Sequence, residues 1–192
     1  MLKNYFVCLF MLLFSSYGIA DWNLVNSQSS LNFVSVKKSK VGEVHEFSRL
    51  SGTIKDNGQS SIKIDLSSVE TNIAIRNERM TTMLFDTVTF PDAVISGKMP
   101  VSQVSQLQAG ATFITTLQLS LSLHGNTREL SSKVNITKLT DNRILVTSIE
   151  PIIIQAEDYT LVEGVEALRA IAKLTSISTA VPVTFSLLFS KQ

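Results

Sequence analysis

Few residues in this chain are able to do chemistry. There are two histidines, His45 and His124, and one cysteine, Cys8. His45 is followed by Glu46 but by no second histidine one helical turn on, so the pair that grips zinc in an H-E-x-x-H helix does not form. His124 stands before Gly125-Asn126, a turn sequence, where an imidazole without companion ligands serves as a structural hydrogen-bonder. Neither the G-x-S-x-G elbow that exposes a serine nucleophile nor a glycine-rich phosphate loop occurs. Asp86 has the chemistry of a general base, yet its place ahead of Phe90-Pro91 favours a turn-fixing hydrogen bond. Arg76 carries a planar fork that fits a phosphate and a carboxylate equally well, so its partner stays open between a ligand and a neighbouring side chain.

The elements that position these residues are mostly strands. Leu117, Leu119, Leu121 and Leu123 alternate with Gln118, Ser120, Ser122 and His124, a period of two that puts every leucine on one face. Gly125, Asn126 and Thr127 then turn the chain into a second run from Leu130, giving a hairpin. Val181, Val183, Phe185, Leu187 and Phe189 repeat the pattern at the other end of the chain. Between them, Asp56-Asn57-Gly58 joins two strands, the second carrying Ile62, Ile64 and Leu66, and Gly52 inside the first suggests a bulge or a bend that curls the sheet. The strand with Leu31 and Phe33 has no clear inner face. Residues 101–111 read as a polar loop, Asp141-Asn142 as a turn, and Ile144 to Ile154 as one long strand broken or kinked at Pro151. Two stretches break the alternation. Ile75, Met80, Met83 and Leu84 are spaced as in a short helix, and Val165, Leu168, Ile171 and Ala172 define a second one within 161–174. A leucine face with few helices to cover it is expected to cover itself by closing, so the chain reads as mainly β.

The first twenty residues stand apart. Lys3, an apolar run from Tyr5 to Phe14 and the small residues of Gly18-Ile19-Ala20 form a signal peptide with cleavage expected after Ala20. That run is about half of the roughly 20 apolar residues a bilayer-spanning helix needs, so no stable membrane anchor is expected. Cleavage removes Cys8 and Lys3, leaving sixteen basic and sixteen acidic side chains over residues 21–192. A balanced charge offers no footprint for nucleic acid. An exported chain without cysteine has no disulfide and no thiolate nucleophile, which together with the leader points to a bacterial periplasmic protein. At 44% hydrophobic and 17% charged residues, the remainder is one globular domain.

Several motifs carry a resemblance to a known family. Ser68-Val69-Glu70-Thr71, Arg76, Leu84-Phe85-Asp86 and Phe90-Pro91 resemble the central block of the YceI-like family. Ser30-Leu31-Asn32-Phe33, the Phe47 to Gly52 run and Leu121-Ser122-Leu123-His124-Gly125-Asn126-Thr127 match further landmarks of that family in the same order, so the resemblance covers nearly all of residues 22–190. Ser29, Asn77 and Arg79 depart from it, standing where many members carry histidine, aspartate and histidine.

The resemblance implies a lipocalin-like closed antiparallel β-barrel of about eight strands with one or two short helices. It also implies an apolar interior holding a polyisoprenoid lipid, an isoprenoid quinone or a polyprenyl phosphate, with no other cofactor, no metal and no catalysis. The residues it directs to that lipid are Phe33, Phe47, Leu84, Phe85, Phe90, Leu117, Leu119, Leu121, Phe185 and Phe189, with Arg76 near the head group. An inward row such as Leu117, Leu119, Leu121, Phe185 and Phe189 is needed in any barrel, filled or hollow. An enzyme or enzyme accessory using Arg76, Asp86 and His124 on such a lipid, and a solid barrel acting through protein contacts, both stay open at this point. So does the oligomeric state, a homodimer included.

Overall fold

The computed structural model describes residues 21–140 and 142–191. The expected signal peptide, and Asp141 of the expected Asp141-Asn142 turn, lie outside the described residues. The strands are β1 (Trp22–Leu24), β2 (Ser30–Lys37), β3 (Val41–Phe47), β4 (Leu50–Ile54), β5 (Gln59–Asp65), β6 (Val69–Glu70), β7 (Asp92–Lys98), β8 (Thr112–Leu123), β9 (Asn126–Thr140), β10 (Arg143–Ser148), β11 (Ile152–Gln155) and β12 (Ala180–Lys191). All pair antiparallel in a single sheet, and the pairing shows how it closes.

β1 and β2 lie end to end along one side of β12, with Trp22 opposite Lys191 and Phe33 opposite Val183. β10 and β11 lie end to end along its other side, with Ile144 opposite Phe189 and Ile152 opposite Val183. β3 pairs with β2 and β6, while β4 pairs with β1 and β5. Each of β1/β2, β3/β4, β5/β6 and β10/β11 is therefore one barrel strand interrupted midway. With β7, β8, β9 and β12 they complete an eight-stranded ring, closed through β1 and β10 on either side of β12, while β6 pairs only with β3 and β11 only with β12. The single strand expected over 144–154 is one of these interrupted strands, and Pro151, which cannot donate to the ladder, sits in the break.

The alternating leucines of β8 and the Leu187 and Phe189 end of β12 are buried on the inner face. The ambiguous β2 resolves the same way. Its register against β12 sets Leu31 beside Phe185 and Phe33 beside Val183, so Leu31 and Phe33 turn inward. Gly52 does not form the expected bulge, since β4 and β5 run in unbroken register from Leu50 opposite Ile64 to Ile54 opposite Ser60. Its role is close approach. A Cβ at Gly52 would come within 2.7 Å of the Ser61 carbonyl oxygen and 3.1 Å of Ile62 Cα, backbone atoms that cannot step aside.

Three helices complete the chain: α1 (Ala74–Arg79), α2 (Val101–Gln106) and α3 (Val162–Ile171). α2 replaces the first part of the loop expected over 101–111. It is little more than one turn, too short to display a period, and it forms because Val104 is buried in the core. α1 runs directly into a π-helical stretch, Met80–Leu84, in which the Phe85 N–H reaches the Met80 carbonyl at 2.9 Å. The wider turn changes which residues face inward. Met80 is buried and Leu84 turns to the core, while Ile75 and Met83, expected on the same face, are 50% and 37% exposed. α3 lies across this π-helix at Gly164, where a Cβ would fall 2.7 Å from the Met83 carbonyl oxygen and 2.8 Å from Leu84 Cα. Val165, one residue on, is buried below it.

Candidate functional site

The barrel is hollow. Beneath α3 and the π-helix lies a cavity of about 140 Å³, and every side chain lining it is a hydrocarbon. Its walls come from far apart in the chain: Phe33, Phe47 and Phe85 on one side, Leu121 and Leu123 on another, and Leu161 and Val165 from the cap. Ile95, Ile152, Val183 and Phe185 face inward yet are incompletely buried, because they border this space instead of one another. A second hollow of about 40 Å³ lies further along the barrel, lined by Leu117, Leu119 and Phe189 among others. Leu31, Ile95, Ile152 and Phe185 line both, so they form the neck between the two. Phe33, Phe47 and Phe85 stack in a tilted series with centroids 5.3 and 5.7 Å apart, which stiffens the wall next to the larger hollow.

The structure thus places the expected lining residues in two groups. Phe33, Phe47, Leu84, Phe85, Leu121 and Phe185 border the larger hollow, and Leu117, Leu119 and Phe189 the smaller. Phe90 borders neither. Its ring packs on His124 at 4.3 Å and against Gly125, so it braces the β8–β9 turn from outside the hollow. Arg76 borders neither as well: Nη1 donates to Glu43 Oε2 at 2.6 Å and Nη2 to the Thr71 carbonyl at 2.6 Å. A neighbouring carboxylate is the partner its fork engages. Lining residues missed in the sequence include Ile64, Ile152 and Leu161. The clean alternation around Ile64 was a usable signal; the interrupted β10/β11 strand hid Ile152.

The polar residues with chemical potential are held in structural roles. His124 has φ of +49° and Gly125 +77°, so these two form the tight turn and Asn126 already begins β9. His124 Nδ1 lies 3.2 Å from Thr160 Oγ1, which ties the hairpin to the segment before α3. Asp86, at φ +44°, turns the chain through its main-chain carbonyl, which accepts from the N–H groups of Thr89 and Phe90 at 2.9 and 2.8 Å. Two departures from the family pattern are also occupied. The Ser29 hydroxyl donates to the Val25 carbonyl at 2.9 Å and accepts from the Leu188 N–H at 3.0 Å. Asn77 Oδ1 accepts from Thr71 N–H and Oγ1–H at 2.9 and 2.6 Å, and its amide donates to Glu70 at 3.0 Å.

His45 is the residue whose position was not foreseen. It is 4% exposed, on the inner face of β3 two residues from Phe47 and opposite Phe33, whose ring lies 5.2 Å away. Nε2 is 2.8 Å from the Ser35 hydroxyl. Burial pushes the imidazole below its usual range, with Arg76 and Lys37 acting in the same direction and Glu43 opposing. Glu43 takes Lys37 Nζ and Arg76 Nη1 on the same oxygen, each at 2.6 Å. The Lys37 hydrogen bond and the Arg76 charge hold its carboxyl below the ordinary range against the opposing effect of burial. Among the described residues no group of three or more His, Cys, Asp or Glu side chains is placed to hold a metal. No described helix is long and apolar enough to cross a membrane.

A closed antiparallel barrel with a carbon-lined hollow under a helical cap defines the class of small barrels that enclose an apolar ligand. The model of the YceI-like domain matches residues 22–189, and the chain belongs to the YceI-like family. The polyisoprenoid binding domain from Saccharophagus degradans implicated in plant cell wall breakdown is similar at 38% identity and TM-score 0.87, over 91% of this chain and 99% of that one. Burkholderia cenocepacia BcnA shares the fold at 15% identity and TM-score 0.65, over 86% of this chain and 98% of that one. The Campylobacter jejuni YCEI protein shares it at 13% identity and TM-score 0.55, over 77% and 84%. A search of curated proteins returned no match.

Proposed function

We propose that the protein is a non-enzymatic periplasmic carrier or reservoir that holds a polyisoprenoid chain inside the barrel. The observation that carries this reading is the larger hollow, walled by hydrocarbon side chains alone. Such a space offers nothing to a polar substrate and rewards a branched hydrocarbon tail. Each tail methylene that leaves water contributes about 0.8 kcal/mol before ordering costs, so a tail gains affinity without polar contacts in proportion to the length the barrel admits; a hollow of about 140 Å³ takes about one benzene ring, so a longer tail requires the walls to move apart. The tail runs from the larger hollow through the Leu31, Ile95, Ile152 and Phe185 neck toward the smaller one. The similarity to a polyisoprenoid binding domain supports the same class of ligand. The expected leader over residues 1–20 supports export, and His124 and Asp86 are held in turn contacts.

Mass spectrometry of an organic extract of the protein, purified from the periplasm, tests this. A prenyl lipid at near one per protein, recovered chemically unchanged after incubation, is the expected result. Protein that carries no prenyl lipid and takes up none when delipidated refutes it.

A further inference from the structure

The helical end of the barrel carries an outer surface of its own kind. Ile73 and Ile75 at the start of α1, Met83 on the π-helix, Val88 in the loop after it, Ile171 at the end of α3 and Val41 beside the β2–β3 turn all stand exposed. Two sets of contacts hold these elements in one rim. Lys37 and Arg76 share Glu43 Oε2, which ties the β2–β3 hairpin to α1. The Lys38 N–H donates to the Ser176 carbonyl at 3.0 Å, and the Ser39 and Ser176 hydroxyls lie 3.3 Å apart, which ties the same hairpin to the segment after α3. The free charge at this junction has one sign. Lys38 and Lys40 in the turn and Lys173 just past α3 are exposed, and among the described residues none of them forms an ion pair. Glu43 is already shared by two cations, so the tip keeps a surplus of positive charge although residues 21–192 balance.

Exposed aliphatic side chains beside lysines make a surface that settles into the interface of a bilayer. The apolar groups enter the acyl boundary while the long lysine stems carry their charge to the phosphates. Resting for its purpose on the tail-holding reading above, we propose that the β2–β3 turn, the start of α1 and the end of α3 form a docking face for a lipid surface bearing anionic phosphate head groups. The face borders the cap of the larger hollow, to which the π-helix and α3 contribute Leu84 and Val165, so a docked barrel exchanges a hydrocarbon tail with the bilayer without passing it through water. The exposed acids of this end, Glu78 on α1 and Glu163 and Glu166 on α3, lie along the helices, and Arg169 holds Glu166 at 2.6 Å. Glu46 and Glu70 pair across β3 and β6, further from the turn. The barrel therefore meets the surface tilted, with the hairpin and the α3 end first. A second copy is a poorer occupant, because a two-fold contact through this face sets one lysine tip against the other.

The test measures co-sedimentation of delipidated mature protein with phosphatidylcholine vesicles, plain or with about one-third phosphatidylglycerol, at low salt and at about 0.5 M NaCl. The anionic vesicles are expected to bind about tenfold tighter than the plain ones, with most of that preference lost in high salt. Lys38→Gln with Lys40→Gln should weaken binding to anionic vesicles by about tenfold, and Ile75→Gln with Ile171→Gln by a similar factor. Lys55→Gln with Lys98→Gln removes the same charge at the far end of the barrel and should change nothing. Ile75→Cys carrying an environment-sensitive dye should shift its emission to the blue on anionic vesicles, and Lys55→Cys should not; residues 21–192 hold no other cysteine. A wild type without preference for anionic vesicles, or equal losses from the two lysine pairs, overturns the docking face. Uptake of a C20 prenyl alcohol from detergent reads tail holding separately and shows that each variant is folded. Uptake without vesicle binding refutes docking alone, while vesicle binding without uptake leaves the face standing and refutes the tail-holding reading.

Discussion

Leu121→Trp asks whether the hollow at the centre of the barrel is where a tail goes. Leu121 is buried mid-strand on β8, opposite Ile95, and borders the hollow of about 140 Å³. In a solidly packed core the extra bulk of an indole forces neighbours off their rotamers and costs about 1 to 3 kcal/mol. Here the ring has space to enter, so the delipidated variant should melt within a few degrees of wild type. The same ring then occupies volume a tail would use. If about five tail carbons are displaced, at about 0.8 kcal/mol each, the loss is about 4 kcal/mol, close to a thousandfold in Kd. Ser120→Trp is the control: Ser120 points to the opposite side of the sheet, between Ser96 and Glu129, and should leave uptake unchanged. Thermal unfolding and titration with a C20 prenyl alcohol read out both effects. A Leu121→Trp protein that unfolds, or one that is stable and binds normally, would refute the reasoning, the first by showing a filled interior and the second by showing that the tail lies elsewhere.

Three further outcomes are expected. The exported protein should start at Asp21, which an intact-mass measurement of the periplasmic fraction checks; retention of residues 1–20 would contradict it. Gly164→Ala should destabilise by about 1 to 3 kcal/mol, read from denaturant midpoints, because its Cβ meets the Met83 carbonyl oxygen and Leu84 Cα at 2.7 and 2.8 Å; no change would mean that α3 lifts freely from the π-helix. Stability should also fall on acidification in two separable stages. The depressed His45 leaves the unfolded chain binding more protons once the pH drops below about 6.5, so its contribution is complete above that value and lost as the pH falls through the folded pKa. Glu43, also depressed, acts only below about 4.5. The groups facing His45 are Arg76, Lys37 and Glu43, and His45→Phe should flatten the upper stage alone in urea unfolding across pH 7.5 to 5.

Much of the fold was legible because a closed barrel imposes one strict local rule, alternation, on each strand that wraps a single core. Leu117 to Leu123 obey it throughout and Val181 to Phe189 obey it apart from Leu188, which is apolar and buried on the opposite face, so their inner faces could be assigned from sequence alone. α3 was legible for the converse reason, since Val165 and Leu168 break alternation in favour of a helical period. Where local pattern is weak, sequence was silent or misleading. β2 carries apolar residues on both faces, α2 is about one turn long, and a π-helical stretch follows α1, with Ile75 of α1 and Met83 of the π-helix both at the surface.

The candidate site divides along the same line. The amino-acid sequence by itself determined that the inner faces are apolar, that Arg76 sits in a short helical segment, and that the motifs resemble those of the YceI-like family. Only the tertiary structure decided where that apolar surface is packed and where it is left open, because a hollow is set by the distance across the ring between residues as remote as Phe33, Leu121 and Phe185. It alone also decided the partners of the polar groups. Arg76 meets Glu43 across 33 residues of chain, and Phe90 meets His124 across a turn instead of facing the hollow. His45, unremarkable in the run Val44 to Glu46, becomes a buried imidazole on the inner wall because β3 pairs in register with β2 and sets it opposite Phe33. A strand's period tells which residues share a face; the closure of the sheet tells what that face encloses.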